Sequence, residues 1–197
     1  MCKTIGDSLL SGSIALSVAV YLLFLQKAEY TWLAYFMISG SSMQWSDALV
    51  WYNKQNGYDT DILSRYVNGL ILASQPVAVY LGYLLLNRRM PVYEAICGIY
   101  ITFMLYMWIT QCKETTVTSD GYLKWCDFPF DPPGKIIHLA LILFPFLYYP
   151  NPVIKAIVFL SVIGTWLYNY SRESFGSGWC HSQNFAALLL LGLVARD

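Results

Sequence analysis

Residues 67–111 read VNGLILASQPVAVYLGYLLLNRRMPVYEAICGIYITFMLYMWITQ. Two long apolar runs flank Arg88, Arg89 and Met90, and the break between them is too short to be a soluble element. A helix that crosses a bilayer needs about 20 mostly apolar residues, since about 30 Å of hydrocarbon is covered at 1.5 Å per residue. Pro91 suits a first helical position, where its missing N–H is lost to any helix. This stretch predicts membrane helices over 67–87 and 91–111.

Working outward, the same pattern recurs with short polar breaks. It predicts helices near 8–26, 31–52, 135–149, 153–170 and 179–195, making an all-α bundle of seven transmembrane helices in a single polytopic domain, 1–197. Six helices are the fallback, because the fifth run falls short of the hydrocarbon thickness. A polar loop at about 112–134 separates the fourth and fifth helices. The first run lacks a small-x-small cleavage site, so it reads as an uncleaved helix rather than a signal peptide.

Composition agrees. Charged residues make up 12% of the chain, about half the share in a soluble domain. The 12 basic and 12 acidic residues balance, so nothing draws the chain to nucleic acid. The bilayer is the first partner, a small molecule or ion the second, and the sequence leaves oligomerisation open. With 16 Tyr and 7 Trp, the chain is rich in rings that favour the membrane interface.

With seven helices, Lys27, Arg88, Arg89, Lys155 and Arg196 share one face on short segments. The other face spreads its basic residues over longer loops. Positive charge collects on the cytoplasmic side, which predicts an outer N-terminus and a cytoplasmic C-terminus. Cys112 and Cys126 share the outer fourth loop, where a bridge would form in an oxidising compartment; free thiols are the alternative. Cys2 and Cys180 fall on the same face, and Cys97 lies within the fourth helix. The sequon Asn169-Tyr170-Ser171 sits too close to a helix to be used.

The second helix is unusually polar. Ser41, Gln44, Asp47, Ala48 and Trp51 recur at spacings of three and four and share one face. That face must point inward, because a carboxylate facing lipid is costly and an intramembrane carboxylate is a functional candidate by default. Structural hydrogen bonding between helices is the competing reading. Gln75 precedes Pro76, which removes a backbone hydrogen bond and frees a carbonyl toward a cavity or water. Alternation places Asp47, His138 and His181 at the outer level, with Gln183 and Asn184 after His181, and Gln44 and Gln75 deeper.

The candidate ligand-binding set is therefore Gln44, Asp47, Trp51, Gln75, His138 and His181. Two His and a carboxylate suit zinc with an open position for water, so Asp47, His138 and His181 are candidate metal ligands. Glu94 sits in a helix's first turn, where the dipole favours it, and Lys155 reads as an interfacial lysine that snorkels. Phosphate-loop, Gly-x-Ser-x-Gly and zinc-protease motifs are absent.

Met43-Gln44-Trp45-Ser46-Asp47-Ala48-Leu49-Val50-Trp51 resembles a Met-Gln-x-x-acid-x-x-x-Trp signature of uncharacterised polytopic proteins of large DNA viruses and protists. Gln75-Pro76 and Gly176-Ser177-Gly178-Trp179-Cys180 are similar to that family too. Its acid is usually Glu, where this chain has Asp47. The resemblance implies a viral or protist membrane protein and supplies no mechanism; it adds Pro76, Trp179 and Cys180 to the residues of interest. The leading expectation is a small transporter, channel or ligand-binding receptor, with Asp47 pairing a cationic substrate or titrating. The alternatives are an intramembrane metal-dependent enzyme acting on lipid, and an assembly protein whose polar residues only hold helices together.

Overall fold

Thr4 opens the first helix by accepting the Asp7 N–H at 3.1 Å, and Asp7 in the first turn complements the helix dipole. The computed structural model describes residues 3–112, 114–119, 121–126, 133–170 and 179–195, and of 168–170 and 179–183 the backbone alone. Seven α-helices follow in order: α1 (Ile5–Phe24), α2 (Ala28–Gln55), α3 (Asn68–Leu84), α4 (Pro91–Gln111), α5 (Pro133–Phe146), α6 (Pro152–Tyr170) and α7 (Trp179–Val194). A π-helical turn, Leu63–Val67, leads directly into α3.

Three of these are long and apolar enough to cross a membrane: Ile5–Phe24, Leu63–Leu84 and Pro91–Gln111. α2 and α5 fall outside that set for separate reasons. The 28-residue α2 carries Gln44, Asp47 and several serines. At 14 residues, α5 spans only about 21 Å. The described parts of α6 and α7, Pro152–Leu167 and Asn184–Val194, are apolar.

α2 packs against α1, α3 and α7, while α3 packs against α2, α4 and α5. The two polar-bearing helices thus sit at the centre, and apolar faces are left outside. Val92 and Ile99 on α4 and Leu160 on α6 are each 73% exposed. Exposed apolar surface on this scale marks contact with another apolar phase.

Contacts sort the turns into two ends. At one end Trp32 stacks on Phe146 at 5.2 Å and meets Tyr83 edge-on at 5.9 Å. The Tyr149 hydroxyl there donates to the Glu29 carbonyl at 3.1 Å. The α1–α2, α3–α4 and α5–α6 turns therefore lie together. At the opposite end the Lys3 ammonium sits 4.6 Å over the Tyr122 ring, and Lys54 pairs with Glu114 at 3.0 Å.

The long fourth loop is more than a polar connection. β1 (Thr116–Val117) pairs antiparallel with β2 (Leu123–Lys124). A Cys112–Cys126 disulfide closes this hairpin onto the end of α4. Leu123, Tyr122 and Trp125 are buried, so the hairpin folds down on the bundle as a cap.

Candidate functional site

The inward face of α2 is as its spacing requires. Ser41, Gln44, Asp47 and Ala48 are buried, and Trp51 is half-buried. Gln44 lies beside Gly12 of α1. The remaining polar groups form a seam between α2 and α3, in two layers.

In the deeper layer His138 Nε2 meets Gln75 Oε1 at 2.9 Å. The Gln75 amide nitrogen donates to Met43 Sδ at 2.7 Å. Because Gln75 presents its oxygen, His138 must carry a proton on Nε2. One glutamine thus ties α5 to α2 through α3. His138→Leu leaves a buried amide oxygen without a donor, which costs about 1–3 kcal/mol. The Gln75→Leu/His138→Leu pair removes both groups and is expected to cost clearly less than the two single changes added. Chemical unfolding of the detergent-solubilised variants checks this; strict additivity would show the two groups act independently.

In the outer layer Asp47 is fully buried, and Trp125 Nε1 donates to its Oδ1 at 2.6 Å. Asp47 Oδ2 has no hydrogen-bond partner among the described residues. The neighbouring Ser46 hydroxyl donates to Asn68 Oδ1, while Asn68 Nδ2, also buried, has no partner among the described residues. One turn outward, Ser64 shares a hydrogen bond with the Thr115 hydroxyl at 2.8 Å. Its carbonyl, in the π-helical turn, accepts Trp108 Nε1 at 2.7 Å. Such turns free backbone groups for side-chain partners.

The sequence places Asp47 and His138 at one level; the structure gives each its own partner, Trp125 and Gln75. His138 is fully buried and sits with the deep glutamine rather than at a mouth. Trp125 occupies the position over Asp47. The side chains of His181, Gln183, Trp179 and Cys180 lie outside the described residues, as do Cys2 and Ser171. Among the described residues, no group of three His, Cys, Asp or Glu is placed to hold a metal ion. α3 runs on through Pro76, and its irregular turn lies earlier, at Leu63–Val67.

At the other end Glu94 accepts from Arg89 at 2.6 and 2.9 Å and from the Tyr80 hydroxyl at 2.6 Å. This contact holds the Arg89 guanidinium above its usual range. The Lys155 ammonium donates to the Leu147 carbonyl at 2.8 Å, so it closes the end of α5. Both are structural roles.

Sequence reasoning missed Trp125, Asn68 and Met43. A signal existed for Trp125, since it adjoins Cys126 and a Cys112–Cys126 bridge pins it to the rim of the bundle. No protein-family model matches the chain, and no match is found among curated proteins or solved structures.

Proposed function

We propose that this is a polytopic membrane protein of seven spans that binds and moves a small cationic solute or a proton: a small transporter, channel or ligand-binding receptor. The carrying observation is Asp47. Its carboxylate is fully buried, one oxygen takes a neutral indole N–H, and the other has no partner among the described residues. Burying a carboxylate away from water costs several kcal/mol unless a counter-charge or proton compensates. A carboxylate half-satisfied in this way draws a cation or a proton into the seam. Gln44, Ser46, Asn68, Gln75 and His138 line the same α2–α3 region and supply uncharged partners for a solute.

The exposed apolar faces support the membrane reading. The shorter α5 and α7, of 14 and 16 residues, complete the bundle where the bilayer thins or the flanking residues reach the interface. Arg88, Arg89, Lys27 and Lys155 belong to the end of the aromatic cluster, which the charge rule puts in the cytoplasm. The disulfide-closed hairpin then faces an oxidising outer compartment.

Asp47→Asn tests the reading. Asparagine keeps the shape and an oxygen to accept Trp125 Nε1, but holds no charge. Proteoliposomes of the full chain, loaded against gradients of protons, alkali cations and small organic amines, are expected to show flux. Asp47→Asn is expected to reduce it at least tenfold, about 1.4 kcal/mol of lost interaction. Absent flux, or flux that survives the substitution, overturns the proposal.

A further inference from the structure

We propose that the hairpin closed by Cys112 and Cys126 is a thiol-controlled cover: it holds Asp47 away from water while the bridge stands, and a dithiol that reduces the bridge opens it. This names a control on the cation site and rests on the reading of Asp47 above. Asp47 lies about two turns in from the outer end of α2 at Gln55, yet it is fully buried. The hairpin folds over that end and places one side chain on the carboxylate: the Trp125 indole donates to Oδ1 at 2.6 Å. Trp125 adjoins Cys126 in the chain, so the bridge to α4 sets where the indole stands.

The two ends of the bridge are unlike. Cys112 is buried at the end of α4, with its sulfur 3.4 Å from the Ser64 carbonyl. Cys126 is half-exposed, so an attacking thiolate reaches Cys126 Sγ first. The S–S bond breaks, and the Cys112 thiolate leaves and takes a proton. The reductant's second thiol then closes on its first sulfur and releases the Cys126 thiol. Two electrons and two protons pass to the protein, and the dithiol departs as a cyclic disulfide. The contacts left behind divide the hairpin. Thr115 keeps its two bonds to Ser64 on the β1 side. The Lys54–Glu114 pair has a Glu114 side chain 60% exposed and is worth little in water. The β2 side, with Leu123 and Trp125, loses its covalent tie to α4. Local opening of such a segment needs less free energy than unfolding the bundle.

The test reads access to Asp47 directly. The full chain in phosphatidylcholine nanodiscs is treated with a water-soluble carbodiimide and glycinamide, and amidation of each carboxylate is followed by peptide mass. Half the sample is first reduced with dithiothreitol, its thiols are alkylated and the reductant is removed. Exposed Asp59 on the outer rim is the internal reference and is expected to react equally in both. Asp47 is expected to react at least tenfold faster in the reduced sample. Cys112→Ser/Cys126→Ser is expected to match the reduced chain without reductant. Trp125→Phe keeps a ring but no donor, and is expected to quicken Asp47 severalfold with the bridge intact. Hydrogen exchange of the α3 amides, unchanged on reduction, is expected to show that the bundle stays folded.

An Asp47 rate that ignores the bridge, whether fast or absent in both states, overturns the proposal. So does an Asp47 that opens only together with the α3 amides, since that is unfolding of the bundle. The comparison with and without reductant uses the unmodified protein, so it holds even if a variant fails to fold. If Asp47-dependent flux persists while access ignores the bridge, the cover falls and the transport reading stands. If reduction opens Asp47 and neither state carries flux, the transport reading falls and the cover stands.

Discussion

Gly82→Ala is expected to lower the unfolding free energy by about 3 kcal/mol, the upper part of the range for overpacking a filled core. A methyl group on Gly82 would stand 2.8 Å from the Trp32 Cα, with the indole ring closer still. The ring has nowhere to turn. It is fully buried, stacked on Phe146, edge-on to Tyr83 and 5.2 Å from Tyr149. Relief requires α2 to back away from α3, and that is the interface carrying Met43, Ser46 and Asp47. Gly98→Ala is the control, because a Cβ there meets nothing within 4 Å and alanine is the better helix former. It is expected to be neutral or slightly stabilising. Thermal unfolding of the two variants in detergent checks the pair, and equal midpoints would show that the α2–α3 crossing yields without loss.

The fold was legible where hydropathy and punctuation agree. Pro91 marks the start of α4, and the run to Gln111 is apolar throughout. The helical turns ahead of α3 were not legible. Asp61 to Tyr66 are polar and look like a loop, yet Arg65 pairs with Asp61 at 2.5 Å one turn away and Ser64 finds Thr115. Tertiary partners extend the helix beyond what composition suggests. The hairpin was hidden for a similar reason: two-residue strands leave no alternation to read, and the disulfide and tertiary contacts such as Leu123, Thr115 on Ser64 and Trp125 on Asp47 hold them in place.

The inward face of α2 was legible, because spacing on one helix is a local property. Ser41, Gln44 and Asp47 had to share a face, and a carboxylate had to turn from lipid. Partners on other helices were not. His138 and Gln75 come from elements far apart in the chain, and alternation fixes only their approximate depth. It could not show that His138 binds a glutamine one layer below Asp47. Nor could it show that a tryptophan from a loop stands over the carboxylate.

Cys112→Ser/Cys126→Ser is expected to cost about 3 kcal/mol, the chain-entropy value for a loop of this length; the bridged residues are 14 apart. The loss should be local before it is global. The bridge ties the hairpin to the end of α4, whereas the α2–α3 seam keeps its own bonds, Ser46 to Asn68 and Gln75 to Met43 and His138. Without the bridge, the hairpin is held by Leu123, by Thr115 on Ser64 and by Trp125 on Asp47. Hydrogen exchange at the amides of 116–124 is expected to quicken about a hundredfold, the ratio that 3 kcal/mol represents. The α2 and α3 amides are expected to change little. A dithiol reductant acting on the unmodified chain is expected to give the same pattern. If α2 and α3 loosen together with the hairpin, the cap is an integral part of the core. If the hairpin alone loosens, Trp125 can leave the carboxylate while the seam beneath stays built.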